Sequence, residues 1–121
     1  MSPMAANVSV ALVALIQAMI AIVEIFFWNK PRVHARLEFT DAEAKKVAPI
    51  VANAGLYNSF LAAGLMWGLA VHGTPIKLFF LVCVIVAGIF GAVTLKWTTL
   101  VLQTTPGVIA LLMVYMSKTG S

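Results

Sequence analysis

The sequence predicts an all-α fold, a bundle of four transmembrane helices, and three observations lead there. The chain is 62% hydrophobic and only 10% charged over its 121 residues, whereas a soluble domain carries roughly 25% charged residues. Apolar runs at 8–28, 50–71, 76–95 and 99–116 each have about the length a helix needs to cross a bilayer. Polar segments rich in turn-forming residues separate them. Barrel strands would alternate polar and apolar residues, and these runs do not. The mean hydropathy of +1.01 agrees, and one integral membrane domain over residues 1–121 is expected.

The first span is Val8 to Trp28. Met1 to Asn7 contains no Lys or Arg and the run is too long for a signal-peptide core, so it reads as a retained helix. Asn29-Lys30-Pro31 ends it, because proline disfavours helical geometry in the residue before it. A polar loop at 29–48 follows. Inside it, Thr40-Asp41-Ala42-Glu43 reads as a capping box, in which Thr40 accepts from the Glu43 amide and Glu43 reaches back. The second helix is therefore expected to begin in water near Asp41, kink at Pro49 and cross from Ile50 to Val71.

His72-Gly73-Thr74-Pro75 is a short reversal: glycine suits a helix end, threonine an N-cap and proline a first helical position. The third span runs from Ile76 to Leu95. Lys96-Trp97-Thr98 is a tighter link still, which makes the third and fourth helices antiparallel neighbours. The fourth span, Thr99 to Met116, contains Pro106-Gly107 and should kink there. Gly55, Ser59 and Ala63, then Gly64 and Gly68, recur at four-residue spacing, and helix three carries Ala87, Gly88, Gly91 and Ala92. Such patterns let helix backbones approach closely, so helices two and three are read as the tightly packed centre.

Lys30, Arg32, Arg36, Lys45 and Lys46 lie in the first loop and Lys96 in the third, against Lys77 and Lys118 on the other side. The positive-inside rule then places loops 29–48 and 96–98 in the cytoplasm and both termini outside. The net charge of +4 comes from these flanking residues and suits lipid headgroups. No basic stripe interleaved with aromatics appears, so nucleic acid is not an expected partner. His34 and His72 fall in loops on opposite sides and read as surface histidines, which leaves no metal site. Cys83 stands alone in apolar sequence and reads as a buried, inert thiol. No haem or nucleotide motif appears, and no cofactor is expected.

Glu24 is the one carboxylate outside the polar loop, and it sits inside an apolar run. A carboxylate in such a place costs roughly 2.5–3.5 kcal/mol by insertion scales, so it faces protein or water and often carries function. Gln17, seven residues earlier, shares its helix face. Asn53, Tyr57 and Asn58 come early in helix two, Thr94 and Lys96 end helix three, and Gln103 comes early in helix four. All lie in the cytoplasmic half, whereas the far half offers little beyond Ser9 and small residues. Glu24, Gln17, Asn53, Tyr57, Asn58 and Gln103 therefore form the candidate solute- or proton-binding set, with Lys96 or a bound cation to favour the charged carboxylate, although Lys96 also reads as a topology and headgroup anchor.

Glu24-Ile25-Phe26-Phe27-Trp28, the stretch from Asn53 to Ala62 with Gly64 and Trp67-Gly68, Cys83 to Gly88, and Gln103 with Pro106 resemble a family of short bacterial four-helix integral membrane proteins carried as a domain of unknown function. The likeness covers nearly the whole chain. It implies a fold and a location in the bacterial inner (plasma) membrane, not an activity. In one departure, relatives have a histidine where this chain has Gln17, which cannot titrate. Small multidrug resistance transporters share only the outline, and the residues flanking their glutamate do not match. Membrane glutathione-handling enzymes have a basic second-helix motif that this chain lacks.

Three functions compete at this point. The first is a transporter in which Glu24 exchanges a proton for a small lipophilic or cationic solute. The second is a structural or accessory membrane protein whose polar cluster only joins helices. The third is a membrane enzyme, isomerase-like, with Glu24 as general acid or base. Four short helices alone enclose little room, which makes a homodimer in the bilayer one option and leaves the oligomeric state open.

Overall fold

A computed structural model describes residues 3–120 of the chain, with side chains as far as Ser117. Its described residues are helical almost throughout. Helix α1 (Pro3–Ile22) runs on into a π-helical turn (Val23–Phe27). A short α2 (Pro31–His34) and a 3-10 turn (Ala35–Leu37) occupy the polar loop. Then come α3 (Asp41–Ala70) and α4 (Thr74–Thr94), a second π-helical turn (Leu100–Thr104), and α5 (Thr105–Gly120).

The long helices form a closed ring in which α1 packs on α3, α3 on α4, α4 on α5 and α5 back on α1. Three stretches, Pro3–Phe27, Thr74–Thr94 and Leu100–Ser117, are long and apolar enough to cross a membrane. The fourth long helix, α3, carries Asn53, Tyr57, Asn58 and Ser59 in its apolar stretch, which dilutes it.

Local chemistry sets the boundaries. Thr40 Oγ1 accepts from the Glu43 amide at 3.2 Å and Glu43 Oε1 accepts from the Thr40 amide at 2.9 Å, the expected capping box. Pro49 lies inside α3, which continues on both sides of it. The disturbance at Pro106 takes the form of the π-helical turn immediately before α5. Proline has no amide to donate, and the backbone widens where that bond is missing. Lys96 Nζ donates to the Arg36 carbonyl at 2.7 Å, so the first and third loops share one end of the bundle. The side chain of Lys118, counted in the orientation argument, lies outside the described residues.

The interior is small. Ala6, Ala14, Ala21, Ala62 and Ala110 are buried beside Val10, Val13, Leu65, Leu81 and Val84. Large apolar side chains such as Phe26, Phe79, Phe90 and Val93 face outward. This is the distribution expected where lipid is as apolar as leucine and helices associate through close packing. The α4–α5 seam shows how close. A Cβ on Gly88 would lie 2.8 Å from the Thr104 backbone nitrogen. The same seam is stitched by Thr104 Oγ1 donating to the Ile85 carbonyl at 3.1 Å and Thr99 Oγ1 to the Gly88 carbonyl at 2.9 Å. Because backbone cannot move aside as a side chain can, Gly88→Ala should destabilise the protein by about 1–3 kcal/mol, the range for overpacking a filled interior. Unfolding in detergent, followed by circular dichroism, would read that loss.

Candidate functional site

Glu24 sits in the first π-helical turn, and Gln103 in the second. Such turns insert an extra residue into a helix and redirect a side chain, and they recur at functional positions. Glu24 is half-buried, and its Oε1 accepts from Asn58 Nδ2 at 2.6 Å. Asn58 Oδ1 in turn faces Gln17 Nε2 at 3.5 Å, at the outer limit for a hydrogen bond. Gln17 is 0% exposed and its Oε1 has no partner. Gln17, Asn58 and Glu24 therefore make one polar line across the α1–α3 seam. Gly55 makes the line possible: a Cβ there would meet Ile25 Cγ1 at 2.8 Å and Glu24 Cβ at 3.1 Å.

The other members of the candidate set are placed differently. Asn53 is exposed on α3. Tyr57 is exposed as well, with its ring edge-on to Phe60 at 5.8 Å. Gln103 packs against α4, its Cβ beside Gly88, and its buried Oε1 also lacks a partner. Lys96 spends its ammonium on the Arg36 carbonyl and is not the counter-ion of Glu24. An apolar cavity of about 340 Å³ opens beside the polar line, between Ala18, Ile22 and Ile25 of the α1 segment and Ser59, Ala62 and Met66 of α3. Among the described residues no group of three or more His, Cys, Asp and Glu could hold a metal ion.

Two features escaped the sequence. His34, expected at the surface, is 3% exposed. Its Nδ1 lies 2.8 Å from the Trp28 carbonyl and its Nε2 2.7 Å from Asp41 Oδ1. Both partners only accept, so both ring nitrogens must carry protons, and the imidazolium is the form that fits. The Trp28 carbonyl bond, then the Asp41 bond, raise the His34 pKa above its ordinary value, against an opposing cost of burial. Trp28 is buried beside it and donates from Nε1 to the Ala44 carbonyl at 2.9 Å. The loop is thus clamped to the start of α3. Second, the far end of the bundle is not merely small residues: Lys77 is buried there, with Nζ donating to Asn7 Oδ1 at 2.8 Å.

Together these features define a small helical-bundle membrane protein with a lone carboxylate held across one helix seam. The chain belongs to the family described as Protein of unknown function (DUF1304), whose profile matches residues 11–115. No curated protein and no solved structure matches it.

Two outcomes follow for stability. Asn58→Leu removes the link from both neighbours and leaves Glu24 without its donor, which should cost about 1–3 kcal/mol, the penalty for stranding a buried polar group. Gln17→Leu removes a carbonyl that is already unpaired and should stay within about 0.6 kcal/mol, the average for hydrogen bonds between membrane helices. Paired denaturation curves in one detergent would separate them. For His34, a raised folded-state pKa means that its contribution is fully present below the unfolded value of about 6.5 and is lost as pH rises through the higher folded value. Wild-type protein should therefore lose thermal stability across that window and become easier to cleave within residues 29–40. His34→Ala should flatten the pH profile.

Proposed function

We propose that this protein is a small inner-membrane transporter in which Glu24 exchanges a proton, or another cation, for a small lipophilic or cationic solute. The observation that carries the reading is the polar line from Glu24 through Asn58 to the enclosed, unpaired Gln17 Oε1. An ionised carboxylate with one amide donor and no basic partner favours a cation, and protonation removes that demand while the other oxygen keeps the Asn58 donor. The free Gln17 carbonyl oxygen offers a second acceptor to a solute that carries a donor. The apolar cavity beside the line suits a solute arriving from lipid.

In this reading α3 crosses the bilayer as the fourth span. Support comes from its place in the ring: it meets α1 from Gln17 to Ile25 and α4 at Lys77 and Phe80, so it covers the same depth as its neighbours. The basic loops face the cytoplasm and both termini lie outside. One observation favours a purely structural role instead, since the same polar line joins α1 to α3.

The readings separate in proteoliposomes loaded with a pH dye and challenged with lipophilic cations such as tetraphenylphosphonium and ethidium. Wild-type protein should release protons from the lumen when a solute is supplied, and Glu24→Gln should reduce that flux at least tenfold while keeping its fold. Unchanged flux for every responsive solute in Glu24→Gln sinks the transport reading. Loss of folding without any wild-type flux would make Glu24 a structural residue.

A further inference from the structure

The end of the bundle opposite Glu24 poses an electrostatic problem. Lys77 lies in the first turn of α4, where the helix dipole is positive and a cation is unfavourable. That turn contains no acidic residue. The carboxylates of the described chain are Glu24 and the loop residues Glu38, Asp41 and Glu43, all toward the other end. A lysine near a membrane surface ordinarily extends its ammonium outward to water and headgroups. Lys77 does the opposite. It is 6% exposed and turns inward to Asn7 Oδ1 at 2.8 Å.

The surroundings are built for this posture. Gly68 of α3 gives room to the lysine stem: a Cβ there would lie 2.9 Å from Lys77 Cγ and 3.1 Å from its backbone nitrogen. Beside Lys77 is a cavity of about 240 Å³, lined also by Asn7, His72, Thr74 and Ser117 among others. That is several times the roughly 30 Å³ share of one water. An ammonium has three protons to donate, and Asn7 takes one. Thr74, Ser117 and His72, residue types whose side chains can donate, line the same space.

We propose that this cavity binds a phosphate group, with Lys77 as its charge partner. Lysine serves phosphate as a point charge, and a helix N-terminus favours an anion beside it. One bound phosphate would answer the buried ammonium and the positive end of α4 together. The phosphate reaches the cavity either as the headgroup of an anionic lipid or as a free ion. This site stands apart from the Glu24 reading and does not depend on it.

The test uses the full chain. In nanodiscs, phosphatidylcholine alone is compared with phosphatidylcholine containing phosphatidylglycerol, and native mass spectrometry counts retained lipid. In detergent, inorganic phosphate is titrated at constant ionic strength. Wild-type protein should retain phosphatidylglycerol over phosphatidylcholine, or bind inorganic phosphate, and Lys77→Met should weaken that binding at least tenfold. Retention of the lipid without response to the free ion assigns the headgroup; the reverse assigns the free ion. If Lys77→Met does not fold, acetylation of the wild type by acetic anhydride decides. The ligand should slow modification of Lys77 several-fold while leaving Lys45 unaffected. Wild-type protein that binds neither ligand, equal binding by a folded Lys77→Met, or unslowed acetylation of Lys77 overturns the proposal.

Discussion

The close approach of α1 and α3 at Gly55 is the contact on which the polar end depends. The space a Cβ would need is taken by Ile25, by the Ala21 carbonyl and by Glu24. With the two backbones this near, Asn58, one turn further along α3, reaches Glu24 at 2.6 Å with a short side chain. A wider seam would leave that carboxylate facing lipid, at a cost of several kcal/mol. The same device recurs around the ring. Gly88 lets the π-helical turn before α5 bring Thr104 onto the carbonyl of Ile85, and Gly68 makes space for the stem of Lys77. These three seams are thus closed by a missing side chain on one helix and a larger side chain on the other.

What could be read from the sequence was the part governed by neighbours along the chain. The capping box at Thr40 and Glu43, the reversal at Gly73, the tight link at Lys96 and the apolar stretches are all local signals. So is the depth of a polar residue within its helix. The direction in which it faces is not local, because it depends on how each helix is rotated about its own axis against its neighbours. Asn53, Tyr57 and Asn58 are close in sequence, yet only Asn58 turns toward Glu24. The π-helical turns add to the difficulty, since one inserted residue shifts the register of everything after it.

His34 and Lys77 escaped for a related reason. A histidine in a polar loop and a lysine near a helix start are exposed by default, and no pattern in the surrounding residues argues otherwise. Their burial comes from groups distant in sequence or supplied by backbone: the Trp28 carbonyl for the histidine, and Asn7, seventy positions earlier, for the lysine. Both cases place a cationic side chain inside the fold by giving it an oxygen to face. Both lie toward the ends of the bundle, where such a group is close to water during assembly.

The distribution of side-chain size, alanine and valine within and phenylalanine and methionine without, has a thermodynamic consequence. When helices of a soluble bundle separate, apolar surface meets water, and the heat capacity rises by about 12–15 cal/mol/K per residue. Helices of this ring that part within a bilayer exchange contact with one another for contact with acyl chains, and little apolar surface is newly hydrated. The heat-capacity increment of that step is then small. Its enthalpy is nearly independent of temperature, its stability curve is close to a straight line, and cooling brings no second unfolding transition. Order in this molecule is set by the fit of small side chains and by the thickness and composition of the lipid around it, far more than by the temperature of the surrounding water.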